Sequence, residues 1–345
     1  MAFGKYSRKI IHSRFEGEWS KYQLVNVEDV PHDTTTYVNH YAQGGFEGIK
    51  VKKIRQGKTK RVILVFALAL HFLRFNRTLK RMGIPQVTEE MFYGGIEALI
   101  RELWDQIPEG VDYYVYLRPL AIGIGHSNSI ERTPGVYNNK YFDFTILASS
   151  LFTDPNLQIK AYVEKEFSRG GKGTTVTVKA TGNYGAGLGP EELAQKEGSD
   201  QILWFDPYTG HMHEFTTATC FVVQDNTLIT PTLDEGTILD GITRKHILEI
   251  ARGKRLLTVI EDIITLEDFQ NGLANKTIRE IFTAGTAVTG IQVSEVRIGD
   301  IVYELENKDT LKPYFYNMMN RAYCGELNAG WVHEIKKPSI LSFSS

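Results

Sequence analysis

The sequence is poor in the features that mark disulfide-stapled and metal-stapled proteins. Its 345 residues include only two cysteines, Cys220 and Cys324, and neither belongs to a CxxC pair or to a Cys/His cluster. A chain of this length can build a hydrophobic core without disulfides. The cysteine content therefore indicates a reducing compartment and predicts no metal site.

Long apolar runs are also missing. The longest extends from Val62 to Leu73 and is interrupted only by His71, so it is shorter than the roughly 20 residues that a membrane-spanning helix needs. The basic residues near the N-terminus are followed by no apolar stretch of signal-peptide length. We therefore expect a cytoplasmic protein, with a mitochondrial presequence as the alternative.

Charge of one sign is not in excess, since the formal net charge is −2. The most basic stretch, KVKKIRQGKTKR (50–61), contains Gly57 and predicts a β-hairpin with a solvated rim. A nucleic-acid-binding patch is the alternative, but few aromatic residues are interleaved with the charges. We therefore expect neither a nucleic acid nor a membrane as partner.

Strand and helix patterns alternate along the chain and predict a mixed α/β fold in two unequal parts. Strands are expected at 113–118, 141–148, 162–167, 174–178, 201–205, 220–223 and 280–283. Helices are expected at 71–82, from Thr88 onward, at 191–196 behind Pro190, at 243–252 and at 313–323. The turn residues Pro155 and Asn156 predict an interdomain connection, which we place at 154–164. It would join a small N-terminal α/β domain (1–153) to a large C-terminal domain (165–345).

The stretch RGGKGTTVTVKATGNYG (169–185) contains the residue of greatest chemical interest. Lys179 follows the β-branched run 174–178, which predicts a buried strand. Because burial disfavours an ammonium ion, a lysine here could supply the neutral amine that a Schiff base with an aldehyde cofactor requires. Tyr184 could then hydrogen-bond a phenolic oxygen of that cofactor. A lysine that merely extends to solvent from a strand end is the alternative.

Three further motifs could bind anions. Gly241, before Ile242 and Thr243, would let a ligand approach the N–H groups at a helix start. The small residues of FTAGTAVTG (282–290) follow a predicted strand and could form a backbone nest for phosphate or carboxylate. Arg118, in YLRPL, could clamp a carboxylate. A plain helix cap and a surface arginine are the alternatives for the first and the third motif.

Together and in this order, these motifs resemble the fold-type IV pyridoxal-phosphate aminotransferases, specifically the branched-chain amino acid aminotransferase group. The matching segments span nearly the whole chain: HYAQGGFEGIKV (40–51), RFNRTLKRMGIP (74–85), YLRPLAIG (116–123), RGGKGTTVTVKATGNYG (169–185), DQILWFDPYTGHMHEF (200–215), ITPTLDEGTILDGITRKHILEIAR (229–252) and FTAGTA (282–287). The resemblance implies the two-domain, D-amino acid aminotransferase-like fold, pyridoxal 5'-phosphate as cofactor, and a homodimer.

The resemblance also implies a role for each matching residue. Lys179 would hold the cofactor and move the proton between the substrate Cα and the cofactor C4′. Tyr184 would bond the phenolic oxygen, Glu214 would accept from the pyridine nitrogen, and Arg169 would lie near the cofactor. The phosphate would be held by Ile242, Thr243 and Thr286. The substrate would be lined by Tyr41, Phe46, Tyr116 and Arg118, with the Thr286–Ala287 backbone at its α-carboxylate.

Three positions depart from the family pattern. The family usually has a phosphate-binding arginine where Ala67 follows Phe66 here, and Arg74, His71 and Arg169 are the candidates to replace it. Thr219 stands where the family often has asparagine. GTAVTG, which ends at Gly290, lacks the CxxC of some eukaryotic relatives.

The implied reaction is amino transfer between an apolar, branched-chain-like L-amino acid and 2-oxoglutarate. The departures leave open a specialised biosynthetic aminotransferase or a lyase on the same scaffold. A non-catalytic relative is a further alternative, against which the retained Lys179 argues.

Overall fold

The computed structural model describes residues 4–31, 33–56, 60–110, 112–125, 135–136, 139–254, 257–287, 289–306 and 310–337. The chain forms two compact units. The first contains the chain up to Phe152 together with the chain from Asn320 onward, and the second is Thr153–Met319. The domain limits expected from the sequence stay a prediction.

The first unit is built on an antiparallel sheet. Its strands, numbered along the whole chain, are β1 (Lys9–Glu16), β2 (Gln23–Asn26), β3 (Gly44–Phe46), β4 (Ile49–Gln56), β5 (Lys60–Phe66), β6 (Tyr113–Gly123), β7 (Tyr141–Phe152) and β17 (Val332–Lys336). Their order is β17-β5-β4-β6-β7-β1-β2, with β3 also paired to β6. The helices are α1 (Tyr37–Tyr41), α2 (Leu68–Arg81) and α3 (Gly95–Glu102).

Alternation along β4 and β5 places Val51 and Val65 in one apolar core with Phe75 of α2 and Leu99 of α3. Helix α3 buries the apolar residues Ile96, Leu99 and Ile100, as its spacing predicts, whereas α2 buries polar side chains, including His71 and Arg74, beside its apolar ones. A π-helical segment, Glu90–Gly94, leads into α3, and the Thr88 hydroxyl accepts from the Met91 amide at 3.2 Å, which confirms the predicted helix start.

The predicted basic hairpin is confirmed, since β4 pairs with β5. The prediction that its lysines are exposed to solvent is wrong for three of them. Lys50, Lys52 and Lys53 are buried. The Lys50 ammonium lies 4.1 Å from the Tyr114 ring centroid and 4.6 Å from that of Tyr323. Aromatic faces and backbone carbonyls therefore take the place of water around these amines. Burial lowers the pKa of Lys52 to about 8. Gly57 lies outside the described residues.

Glu47, between β3 and β4, is buried in the first unit with two basic partners. Its carboxylate accepts from Arg74 and from His71, each at 2.7 Å. Burial alone would raise the pKa of the Glu47 carboxyl, but the charges and hydrogen bonds of Arg74 and His71 outweigh it and hold this pKa well below its usual range.

We expect Glu47→Gln to destabilise the protein by about 3–5 kcal/mol near neutral pH, because it leaves Arg74 buried without its counter-charge. The folded-state pKa of Glu47 is depressed, so its stabilisation is complete above the unfolded value of about 4.3 and is lost as pH falls below it. Urea unfolding at several pH values should show the two proteins converging in acid. Glu97→Gln is the control, since Glu97 forms partly exposed pairs and should cost about 1 kcal/mol or less. An equal effect of both substitutions would contradict the prediction.

The second unit is built on a mixed sheet. Its strands are β8 (Gln158–Glu164), β9 (Gln201–Phe205), β10 (Met212–Phe215), β11 (Thr219–Gln224), β12 (Thr227–Pro231), β13 (Thr258–Asp262), β14 (Ile278–Ala284), β15 (Thr289–Ile298) and β16 (Ile301–Glu304). Their order is β10-β9-β8-β15-β14-β11-β12-β13, with β16 also paired to β15. Parallel pairs join β8 to β9, β8 to β15 and β12 to β13.

The remaining helices are α4 (Leu188–Lys196), α5 (Ile242–Lys254), α6 (Leu266–Ala274) and α7 (Lys312–Tyr323). Helix α6 packs Phe269 and Leu273 into the apolar core of the second unit, against Phe205 and Ile281 of the sheet. Helix α4 begins at Leu188 and includes Pro190, so the expected start at Glu191, behind Pro190, is wrong. No helix in the described part of the chain has the length and apolarity needed to cross a membrane.

Candidate active site

The segment before Lys179 is folded into turns, so the strand predicted at 174–178 is wrong. The side chain of Asn183 explains the turns. Its amide nitrogen donates to the carbonyl oxygens of Thr175 and Val178, both at 2.8 Å, and its oxygen accepts from the Thr175 hydroxyl at 2.6 Å. These carbonyls would pair with a neighbouring strand if the segment were extended. Asn183 therefore shapes the loop that ends at Lys179.

Lys179 is half-buried rather than buried, and its amine lies beside a phenol. Its Nζ donates to the Tyr184 hydroxyl at 3.0 Å. A short 3₁₀ helix, Thr181–Gly187, turns the chain back so that Tyr184 faces the lysine that precedes it. The structure therefore brings Lys179 and Tyr184 together, while the role of Tyr184 toward the cofactor stays a prediction.

A buried ion pair adjoins this phenol. Glu214 of β10 and Arg169 are hydrogen-bonded, and each side chain is 5% exposed. The Arg169 guanidinium lies 5.7 Å from the centroid of the Tyr184 ring. The Leu239 amide donates to Glu214 Oε1, the same oxygen that Arg169 contacts, at 3.4 Å. Within the described residues these contacts leave Oε2 available to a further donor.

Helix α5 presents its first amide groups next to a glycine. Ile242 and Thr243 are buried at its start, and the N–H groups of a helix's first turn have no partner within the helix. A Cβ at Gly241 would stand 3.0 Å from the Thr219 hydroxyl and 3.1 Å from Arg244 Cβ, so a side chain there would be crowded. The other predicted anion site, Thr286 and Ala287, directly follows β14, with Thr286 partly buried and Ala287 exposed.

In the first unit, three of the predicted substrate residues form one cluster. The Arg118 guanidinium lies 4.4 Å from the Phe46 ring centroid and donates to the Tyr116 hydroxyl at 3.1 Å. Phe46 and Tyr116 are buried, and Arg118 Nε is buried without a hydrogen-bond partner in the described chain. Tyr41 lies in α1, where its hydroxyl accepts from the amide of Gly135.

Ala67, at the position of the family's phosphate-binding arginine, has a left-handed backbone conformation with φ of 50°. Its amide donates to the Trp331 carbonyl at 2.7 Å. The candidate replacements each have a carboxylate partner: Arg74 and His71 bind Glu47, and Arg169 binds Glu214.

The sequence matches a known enzyme family. The sequence model of the amino-transferase class IV family matches residues 44–296. The chain belongs to the class IV aminotransferases. A probable branched-chain-amino-acid aminotransferase of Staphylococcus epidermidis is 30% identical over 307 residues, covering 86% of this chain and 82% of that protein. Branched-chain-amino-acid transaminase 1 of Bacillus subtilis is 30% identical over 271 residues, covering 77% of this chain and 73% of that protein. The predicted assignment to the branched-chain aminotransferase group is confirmed.

Solved structures resemble this aminotransferase over almost its whole length. The branched-chain aminotransferase of Thermoproteus uzoniensis, solved with norvaline, has a TM-score of 0.74 and 23% identity, covering 95% of this chain and 99% of that one. The enzyme of Thermobaculum terrenum, solved in its PLP form, has a TM-score of 0.76 and 18% identity at the same coverage. The predicted fold-type IV α/β architecture is confirmed. As a class IV aminotransferase, the protein is a pyridoxal 5'-phosphate enzyme.

Proposed function

We propose that this aminotransferase moves the amino group of a branched-chain L-amino acid to 2-oxoglutarate. The observation that carries the proposal is the position of the Lys179 amine, which lies 3.0 Å from the Tyr184 hydroxyl. The buried Arg169–Glu214 pair lies beside the Tyr184 ring. Relatives in Staphylococcus and Bacillus that carry branched-chain aminotransferase names support the choice of donor.

The side chains of the second unit fit pyridoxal 5'-phosphate. They combine an amine, a phenol that receives a hydrogen bond from it, a buried carboxylate with one available oxygen, and a helix start opened by Gly241. When bound, this cofactor supplies an electron-withdrawing ring that stores the electrons of the substrate Cα–H bond. Lys179 would hold it covalently, and Tyr184 would donate to its phenolic oxygen.

Charged side chains and backbone groups would make the remaining contacts with the cofactor. Glu214 would accept from the pyridine nitrogen through Oε2 and favour its protonated form. Arg169 would pair with Glu214 and hold the Tyr184 ring. The backbone of Ile242 and Thr243, with Thr286, would bind the phosphate at the positive end of α5. This binding mode requires no arginine at position 67.

Lys179 would also move the proton. Its free amine would remove the proton from the substrate Cα and deliver it at the cofactor C4′. The hydrogen bond to Tyr184 keeps this amine at one place in the site. The reaction then runs in reverse with the second oxo acid.

The substrate side would be supplied by Tyr41, Phe46, Tyr116 and Arg118, with the Thr286–Ala287 backbone at the α-carboxylate. Phe46 and Tyr116 offer apolar surface to a branched side chain. No carboxylate pairs with Arg118 among the described residues, and its guanidinium is bordered by rings instead. An arginine in this setting suits the distal carboxylate of glutamate or 2-oxoglutarate.

An amino-donor panel tests the proposal. Purified protein with cofactor receives leucine, isoleucine or valine together with 2-oxoglutarate, and glutamate is measured. Glutamate formation with at least one of the three is expected. No glutamate from any of them would overturn the assignment, and consumption of the amino acid without glutamate would indicate a lyase or a specialised aminotransferase on the same scaffold.

We also infer that the protein is a cytoplasmic homodimer, with neither nucleic acid nor membrane as a partner. Light scattering on the cofactor-loaded protein tests the subunit number. A monomer that retains full activity would overturn the inference about assembly.

A further inference from the structure

Gly48, between β3 and β4, has almost no space above its Cα. A Cβ added at this position would stand 2.0 Å from the Tyr116 hydroxyl oxygen and 2.6 Å from the ring carbon that bears it. Real side chains do not approach this closely. The Tyr116 hydroxyl therefore occupies the place that any side chain at position 48 would need.

The backbone at Gly48 is held on both sides, so it cannot easily retreat from this contact. Phe46 pairs with Leu120 of β6, and Ile49 pairs with Leu117 of the same strand. Between them, the Glu47 amide donates to the Pro119 carbonyl at 2.8 Å. The Gly48 amide in turn donates to Glu47 Oε2 at 3.2 Å. Because these contacts fix the main chain, an added methyl group must displace the Tyr116 ring instead.

Tyr116 holds Arg118 through its hydroxyl. The Arg118 Nη2 donates to Tyr116 Oη at 3.1 Å, and the two residues lie on one face of β6, two positions apart. Displacement of the phenol would break this hydrogen bond and release a guanidinium whose other described contacts are with aromatic rings. The absence of a side chain at Gly48 thus allows Tyr116 to hold the Arg118 guanidinium in its present position.

We propose that Gly48 is a positioning residue for substrate choice: by leaving room for the Tyr116 hydroxyl, it holds Arg118 where the distal carboxylate of a dicarboxylate substrate binds. The inference rests on the proposed function, in which Arg118 meets that carboxylate. It predicts a selective effect, because a branched apolar substrate has no distal charge for Arg118 to bind.

The test compares one dicarboxylate with one monocarboxylate on the cofactor-loaded protein. Binding of glutarate and of 4-methylpentanoate is measured by calorimetry, and steady-state kinetics give the KM for each of two oxo acids, 2-oxoglutarate and 4-methyl-2-oxopentanoate. Gly48→Ala should weaken glutarate binding by about tenfold and raise the KM for 2-oxoglutarate to a similar extent, as expected for one lost charge-assisted contact. The monocarboxylate values should change by about twofold or less.

Two further variants separate positioning from packing. Tyr116→Phe should reproduce the selective loss. Gly48→Ala in that background should add little to the loss of glutarate preference, because the hydrogen bond to Arg118 is already absent. It should still lower stability, because the ring carbons that crowd the added methyl group remain. Gly45→Ala is the matched control in β3: its Cβ would stand 2.7 Å from the Thr78 methyl group, so it crowds the core without touching Tyr116. Gly45→Ala should lower stability and leave the preference for glutarate unchanged.

The outcomes distinguish this inference from the proposed function. If the unaltered protein neither binds glutarate nor forms glutamate, the proposed function fails and the inference falls with it. If it does both and Gly48→Ala weakens both ligands equally, or adds its full effect to that of Tyr116→Phe, the inference alone is overturned.

Discussion

Replacing Lys179 with alanine should lower the rate of amino transfer by at least about a thousandfold, the largest effect that we expect from any single substitution. Two functions are lost together. The cofactor loses its covalent attachment, and the substrate Cα loses the amine that would remove its proton. General acid–base catalysis alone contributes about 100-fold to 10,000-fold. The amine beside the Tyr184 hydroxyl is that of Lys179, so its removal takes away the base that we propose.

The measurement is direct. Borohydride reduction of the cofactor-loaded protein should attach the cofactor irreversibly to the peptide that contains Lys179, and mass spectrometry should find no such attachment in Lys179→Ala. Circular dichroism should confirm that the variant folds. Lys172→Ala is the matched control, since Lys172 is an exposed lysine of the same loop and should retain normal activity. Attachment of the cofactor to another lysine, or a loss of less than about tenfold, would contradict the assignment of Lys179.

The sequence singled out Lys179 as the candidate cofactor lysine, which stays a prediction, but it did not predict the shape of the loop that presents this residue. The run of valine and threonine at 174–178 has high strand propensity, and local propensity is a weak guide when tertiary contacts compete with it. Here the competing contacts come from Asn183, whose amide bonds two carbonyls in the run. The signal that could have revealed this was present in the Gly182-Asn183 pair, which is typical of turns rather than of a chain leaving a strand.

Burial of the hairpin lysines could not be read from the sequence either. A lysine-rich strand normally faces water, and the rings that cover Lys50 come from distant parts of the chain, Tyr114 and Tyr323. The position of β17, which pairs with β5 at the edge of the first sheet, could not be read from the sequence either. Such pairings depend on topology, which local periodicity does not encode.

Glu47 and Gly48 belong to a segment that matched the family motif, but the match did not show what these two residues do. The segment FEG was part of the resemblance, yet only Phe46 was predicted to have a role. The structure adds a reason for its other two residues: Glu47 binds Arg74 and the Gly48 amide, and Gly48 makes room for Tyr116. Arg74 lies in α2 and Tyr116 in β6, so both contacts join parts of the chain that are distant in the sequence, and no spacing rule could have predicted them.

Replacing Glu214 with glutamine should lower turnover by about a hundredfold, the second largest effect that we expect. An amide cannot favour a protonated pyridine nitrogen as a carboxylate does, and preorganised charges of this kind contribute about 100-fold to 1,000-fold in active sites. The substitution also leaves Arg169 buried without its counter-charge, which should cost about 3–5 kcal/mol of stability. A loss of activity in Glu214→Gln alone would therefore be ambiguous, because a weakened fold could produce it.

A double variant, Arg169→Met with Glu214→Met, resolves this ambiguity. Removing both charges eliminates the buried unpaired ion, and replacement of a buried ion pair by apolar side chains of similar size is often neutral or stabilising. We expect urea unfolding to show that the double variant regains most of the stability lost in Glu214→Gln, while turnover stays about a hundredfold or more below normal. Recovery of activity together with stability would contradict a direct role for Glu214 and would mean that the pair only supports the fold around Tyr184. Persistent loss of turnover in a stable protein would instead place the charged pair in the chemistry, because the double variant then lacks only the Glu214 carboxylate and the Arg169 guanidinium beside Tyr184.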